Sequence, residues 1–126
     1  MKEIEIKVLM VESGKHPKVT TLKNNLDSLQ KAVSIGADYQ GLIEIISIGK
    51  GDCLLCNEEG KLIGLEGNRR LGNDIIVGVF YIMSEDEDGN LVSLSERKIK
   101  HYTKLFWEPQ VFDRADIEAT LLCHFF

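Results

Sequence analysis

The run from Ile75 to Met83, rich in β-branched and aromatic residues, constrains the fold more than any other stretch of the chain. Side chains of this kind fit a pleated, half-buried surface better than a helix, so the chain is committed to a sheet. Ile4, Ile6, Val8 and Met10 alternate with Glu5, Lys7 and Leu9, the period-two signature of a strand with one face in the core. Gly14 and Pro17 end that strand. Residues 42 to 48 predict another, stopped by Gly49-Lys50-Gly51, and Cys53 to Cys56 a third, before a turn at Asn57-Glu58-Glu59-Gly60. Leu22, Leu26, Leu29 and Val33 recur at helical spacing, with Gly36 placed to cap the helix.

Lys61 to Gly72 reads as a loop punctuated by Gly64, Gly67 and Gly72, and Glu85 to Asn90 as an exposed hairpin connection. Leu94, Ile99, Tyr102 and Phe106 predict a helix over 96 to 107, which Pro109 breaks. A last helix is expected from Asp113, presenting Ile117, Leu121, Leu122 and Phe125 on one side. The order β-α-β-β-β-α-α predicts a single α+β domain, a mostly antiparallel sheet with helices packed on one face. Its core is expected over residues 1–108. The remainder, 109–126, reads as a helical extension packed on that core or on a partner subunit.

At 126 residues the chain has enough material for one core but not two. No stretch approaches the roughly 20 apolar residues that a membrane-spanning helix needs, so no membrane partner is expected. The amino terminus alternates charges where a secretory signal needs a continuous apolar region, and three cysteines, an odd count, suit reduced thiols. Both point to the cytoplasm. The net charge of −5 argues against general affinity for nucleic acid.

Asn57-Glu58-Glu59-Gly60-Lys61-Leu62-Ile63-Gly64-Leu65, then Asn68-Arg69, then Asp74-Ile75-Ile76-Val77-Gly78 and Phe80, resembles a small family of unknown function. Its members are carried by phages, plasmids and conjugative elements of Gram-positive bacteria. Ile6 to Glu12 with Gly14-Lys15 is similar to that family's first strand, and the turn into the helix with Leu26, Leu29 and Gln30 matches as well. The similarity spans roughly residues 4 to 106. It departs at Glu66-Gly67, where the family usually has a proline, and in the tail from Pro109 onward. The resemblance implies a habitat on mobile elements and no particular activity.

Several motifs that look chemical have plainer readings. Cys53-Leu54-Leu55-Cys56 has the spacing of a redox or zinc pair, yet it lies in an apolar strand whose alternate residues face opposite ways. Cys123-His124 could complete a ligand set, but neighbours on a helix converge poorly. Asp86, Asp88 and Gly89 echo half a calcium loop, without a glutamate at the position of Ser95. His16, His101 and His124 stand beside no nucleophile in a strained elbow, and the carboxylates sit in charged surface runs. No catalytic residue, metal site or cofactor is therefore expected. Arg97, Lys98, Lys100, His101 and Lys104 spread around their helix rather than along one stripe, which suits solvent better than nucleic acid.

The segment from Gly64 to Asp74 is the expected ligand site. Gly64 and Gly67 let backbone approach a ligand, and Asn68, Arg69 and Arg70 offer donors suited to carboxylate or phosphate, with Asp74 closing the segment. The plainer reading is a structural loop with Asp74 paired to Arg69. Three functions follow. The first is an accessory protein that binds a host or mobile-element protein, and the second a binder of a small anionic or phosphorylated ligand at Gly64–Asp74. The third is an enzyme with an unrecognised site. The apolar face of Ile117, Leu121, Leu122 and Phe125 adds the expectation of a homodimer through the last helix.

Overall fold

Alternation along β1 (Glu5–Val11) sends Ile6 and Val8 to one face and Leu9 and Val11 to the other, and all four are buried. A strand with both faces covered needs a layer on each side. A computed structural model describes residues 4–123 and the side chains as far as Leu121. Phe125 and His124 lie outside the described residues, as does the side chain of Leu122.

The elements in chain order begin with β1, β2 (Lys18–Lys23), α1 (Leu26–Val33), β3 (Ile43–Gly49) and β4 (Asp52–Asn57). Then come β5 (Gly67–Leu71), β6 (Asp74–Val77), β7 (Phe80–Glu85), β8 (Leu91–Val92), α2 (Glu96–Leu105) and α3 (Arg114–Cys123). The main sheet runs β2-β1-β7-β4-β3 with β8 beside β7, and β5 and β6 form a separate hairpin. Every pairing is antiparallel. This is the α+β class with a mostly antiparallel sheet that the sequence implies.

The helices divide between the two faces of the sheet instead of sharing one. Leu29 and Val33 of α1 pack with Ile6, Val8, Cys53, Leu55, Tyr81 and Met83. Ile99 and Tyr102 of α2, with Phe106 at its C-cap, pack with Leu9, Val11, Leu54, Cys56, Phe80 and Ile82 on the opposite face. Cys53 and Cys56 thus belong to different layers, and their thiols cannot converge. Burial pushes the thiol pKa up to about 11 for Cys53 and about 12 for Cys56, so both stay protonated at neutral pH.

Three local expectations change. Val19, Thr20, Thr21 and Leu22 form β2 in register with β1, so Leu22 belongs to a strand, and the helix begins later. Asn25 caps it, its side chain accepting from the Ser28 N–H at 2.9 Å. The run from Ile75 to Met83 is two strands in two sheets, divided at Gly78, and the expected loop before it contains β5. At the far end, Asp113 and Asp116 exchange side chain-to-backbone bonds of 2.8 and 3.0 Å, a reciprocal box that starts α3. Ile117 of α3 is buried against Leu65, Ile75 and Val77, so this helix packs on the chain's own hairpin.

Candidate functional site

Asn68 and Arg69 stand in β5 and both turn inward. Asn68 donates from Nδ2 to the carbonyls of Val11 at 2.9 Å and Gly78 at 2.8 Å, tying the hairpin to β1 and to its own exit. Arg69 is 1% exposed. Its Nε donates to the Phe106 carbonyl at 3.0 Å, its Nη2 to Lys15 O at 2.6 Å and its Nη1 to Asn68 Oδ1 at 2.8 Å. The guanidinium closes the carboxyl end of α2, where unpaired carbonyls favour a cation. Burial pulls its pKa down while Glu108 opposes the shift.

The other four residues of the segment lie elsewhere. Gly64 holds a turn at φ +78°, and a Cβ on Gly67 would stand 3.0 Å from Phe112, which would have to give by a few tenths of an ångström. Arg70 is exposed and lies over the Phe112 ring, 5.6 Å from its centroid. Asp74 pairs with Lys61 rather than Arg69 and accepts from the Ile75 N–H at 2.8 Å. The structure brings Asn68 and Arg69 together as a buried clasp and does not gather the six residues around one concave surface.

Asp74 instead borders a groove that the sequence reading does not identify. One cleft of about 390 Å³ is lined by Glu44 and Ile46 of β3 with Lys61, Leu62, Asp74, Ile76 and Leu121. A second, of about 470 Å³, is lined by Ile48 and Gly49 of β3 with Lys50, Leu71, Arg97, His101 and Leu105. Ile46 and Ile48 share the face that packs toward α2, so the two clefts succeed each other along one strand.

That strand is the edge of the sheet. Its inner side pairs with β4, and no described element pairs with its outer side. An open edge presents unpaired N–H and C=O groups, and proteins usually blunt one with lysine, proline, short length or a β-bulge. β3 bulges between Ser47 and Gly49 and is regular from Ile43 to Ser47. The opposite edge, β2, carries Lys18 and Lys23. β3 has seven residues, reads Ile-Glu-Ile-Ile-Ser-Ile-Gly, and leaves Ile45 46% exposed. The available signal was this isoleucine-rich run without lysine, which a period-based reading registers as strand but not as edge.

The floor of the second cleft is fixed by Asp52. Lys98 Nζ donates to its Oδ1 at 2.7 Å, Ser84 Oγ to the same oxygen at 2.8 Å, and Tyr102 OH to Oδ2 at 2.6 Å. Burial alone would raise the pKa of this carboxyl, but the three donors and the Lys98 charge outweigh it and hold the value below normal. Burial and the Asp52 carboxylate push the Tyr102 hydroxyl up. The cluster locks α2 onto β4 and β7. Lys98 is spent inside, whereas Lys50, Arg97 and His101 are exposed at the rim.

Elsewhere, His16 stacks on Trp107 at 4.0 Å with its Nδ1 2.6 Å from the Trp107 carbonyl oxygen. Asp86 accepts from the N–H groups of Asp88 and Asn90, both at 2.9 Å, which makes the acidic stretch a self-bonded turn. Among the described residues, no cluster of histidine, cysteine and carboxylate side chains is placed to hold a metal ion. No described helix is long and apolar enough to cross a membrane.

Residues 6–107 match the family model described as a domain of unknown function, DUF3846, and the chain belongs to that family. No curated protein and no solved structure matches it.

Proposed function

We propose that this DUF3846 member is a cytoplasmic, non-enzymatic accessory protein of a mobile genetic element that acts by binding another protein. The binding surface is the outer edge of β3, and the observation that carries the reading is that edge itself. It is seven residues long, isoleucine-rich, without lysine or proline, and unpaired by any described element. A strand added there gains main-chain hydrogen bonds, each about 0.5–1.5 kcal/mol net, while its alternate side chains reach the clefts below. The habitat rests on the sequence resemblance, and the compartment on the odd count of three cysteines.

The test places a photo-crosslinking residue at Ser47 on β3 or at Thr21 on β2, both exposed on edge strands. Expressed in a host carrying the element, the Ser47 variant is expected to trap a discrete protein adduct that the Thr21 variant does not. Adducts from Thr21 alone, or from neither position, would overturn the reading.

A further inference from the structure

We infer that the groove beside β3 takes an extended segment lying antiparallel to β3, acidic at its amino end, apolar at alternate positions and basic toward its carboxyl end. This rests on the edge reading above and adds the chemistry and direction of the occupant.

Three observations carry it. The first is spacing. Ile46 lines one cleft and Ile48 the next on the same face of β3. Residues two apart in a regular strand are separated by about 6.8 Å, and β3 is regular from Ile43 to Ser47 before it bulges toward Gly49. An added strand therefore sends alternate side chains toward the first cleft and reaches the second past the bulge. Each cleft has apolar lining, Ile76 in the first and Leu71 in the second, the latter beside the Asp52 cluster. Leu62 and Leu105, 68% and 60% exposed, stand at the two clefts as further apolar surface for such side chains to cover.

The second is charge. At the Gly49 end of β3 the exposed rim is basic, formed by Lys50, Arg97 and His101. At the Ile43 end the exposed side chains are Glu44 and Glu58, while Lys61 is occupied by Asp74. A segment with opposite charges at its two ends is complementary to this field in one orientation only.

The third is direction. Every strand pair among the described residues is antiparallel, and antiparallel ladders are the more stable per residue. An antiparallel segment begins beside Gly49 and ends beside Ile43. Its amino end therefore meets the basic rim, and its carboxyl end meets Glu44 and Glu58. A parallel segment would need the reverse charge order, which makes the direction measurable.

The experiment uses two blocked synthetic peptides with valine at alternate positions. One carries aspartates at its amino end and lysines at its carboxyl end, and the other the reverse order. Fluorescence anisotropy with the full chain should show the acidic-first peptide binding about tenfold more tightly. Lys50→Glu with Arg97→Glu, both at exposed positions, should abolish or invert that preference. Equal affinities, tighter binding of the reverse order, or binding of neither peptide overturns the inferred segment. Cross-linking from Ser47 then decides separately whether the edge reading stands. A dimer seen by light scattering without peptide, and lost in Ile45→Lys, would make a second copy the occupant and would also overturn the inference.

Discussion

A buried guanidinium needs acceptors on every side, and Arg69 finds them in the main chain. Carbonyls of Phe106 and Lys15 accept its protons, together with the amide oxygen of Asn68. Removing the side chain leaves buried carbonyls without donors and a cavity between β5 and α2. Arg69→Ala should therefore cost about 3 kcal/mol or more in urea unfolding. Lysine should not rescue it, because one ammonium cannot reproduce the planar fork. An unchanged midpoint would mean that the clasp is dispensable. Asp52 makes a second residue-scale claim, with the opposite charge. Its folded pKa lies below the ordinary 3.8, so the folded state binds the proton less readily than the unfolded chain. Its contribution is fully present above that ordinary value and is lost as pH falls through the lower, folded one. Asp52→Asn should be less stable than the parent at neutral pH, and the gap should close below about pH 4. A gap independent of pH would show that the charge is not what matters. The sequence alone singled out Asn68 and Arg69 but could not say which way they point. In a strand, a shift of one residue reverses inside and outside.

Elements with strong periodic signals were legible, and those whose identity depends on distant partners were not. β1, β4 and α2 follow from apolar spacing, and so does the whole of α1, although the same spacing wrongly adds Leu22 before it. β2 escaped because Val19 to Leu22 form a strand by pairing with β1, while Leu22 happens to continue the helical spacing of Leu26, Leu29 and Val33. β5 escaped because Gly67-Asn68-Arg69-Arg70 has poor strand propensity and is held by tertiary bonds instead. The tail helix follows from its apolar spacing, but the surface it packs on does not. Ile117 fills a buried site with Leu65, Ile75 and Val77. Gly67 leaves room for Phe112 of the same tail. Ile117→Ala should lower stability by about 2 kcal/mol, measured by denaturant unfolding. A neutral substitution would indicate that α3 contributes no packing to the hairpin.

At the scale of the whole molecule, the chain is a sheet with α1 on one face and α2 with the β5–β6 hairpin on the other. Covering both faces leaves the edges as the remaining sheet surface, and the two edges differ. β2 carries lysines, whereas β3 is isoleucine-rich and flanked by two clefts. Strand order decides which run becomes an edge, and strand order is set by contacts far apart in sequence. That is why the α+β class was readable and the groove was not. Among the described residues the outer edge of β3 stays open until a partner strand fills it. Residue-resolved amide hydrogen exchange over Ile43–Gly49, with and without the acidic-first peptide, tests this most directly. The amides facing away from β4 are expected to exchange rapidly in the unbound chain and to become protected on binding, while β2 is unchanged. Outer amides that are already protected without peptide, or that stay rapid with it bound, would contradict the claim.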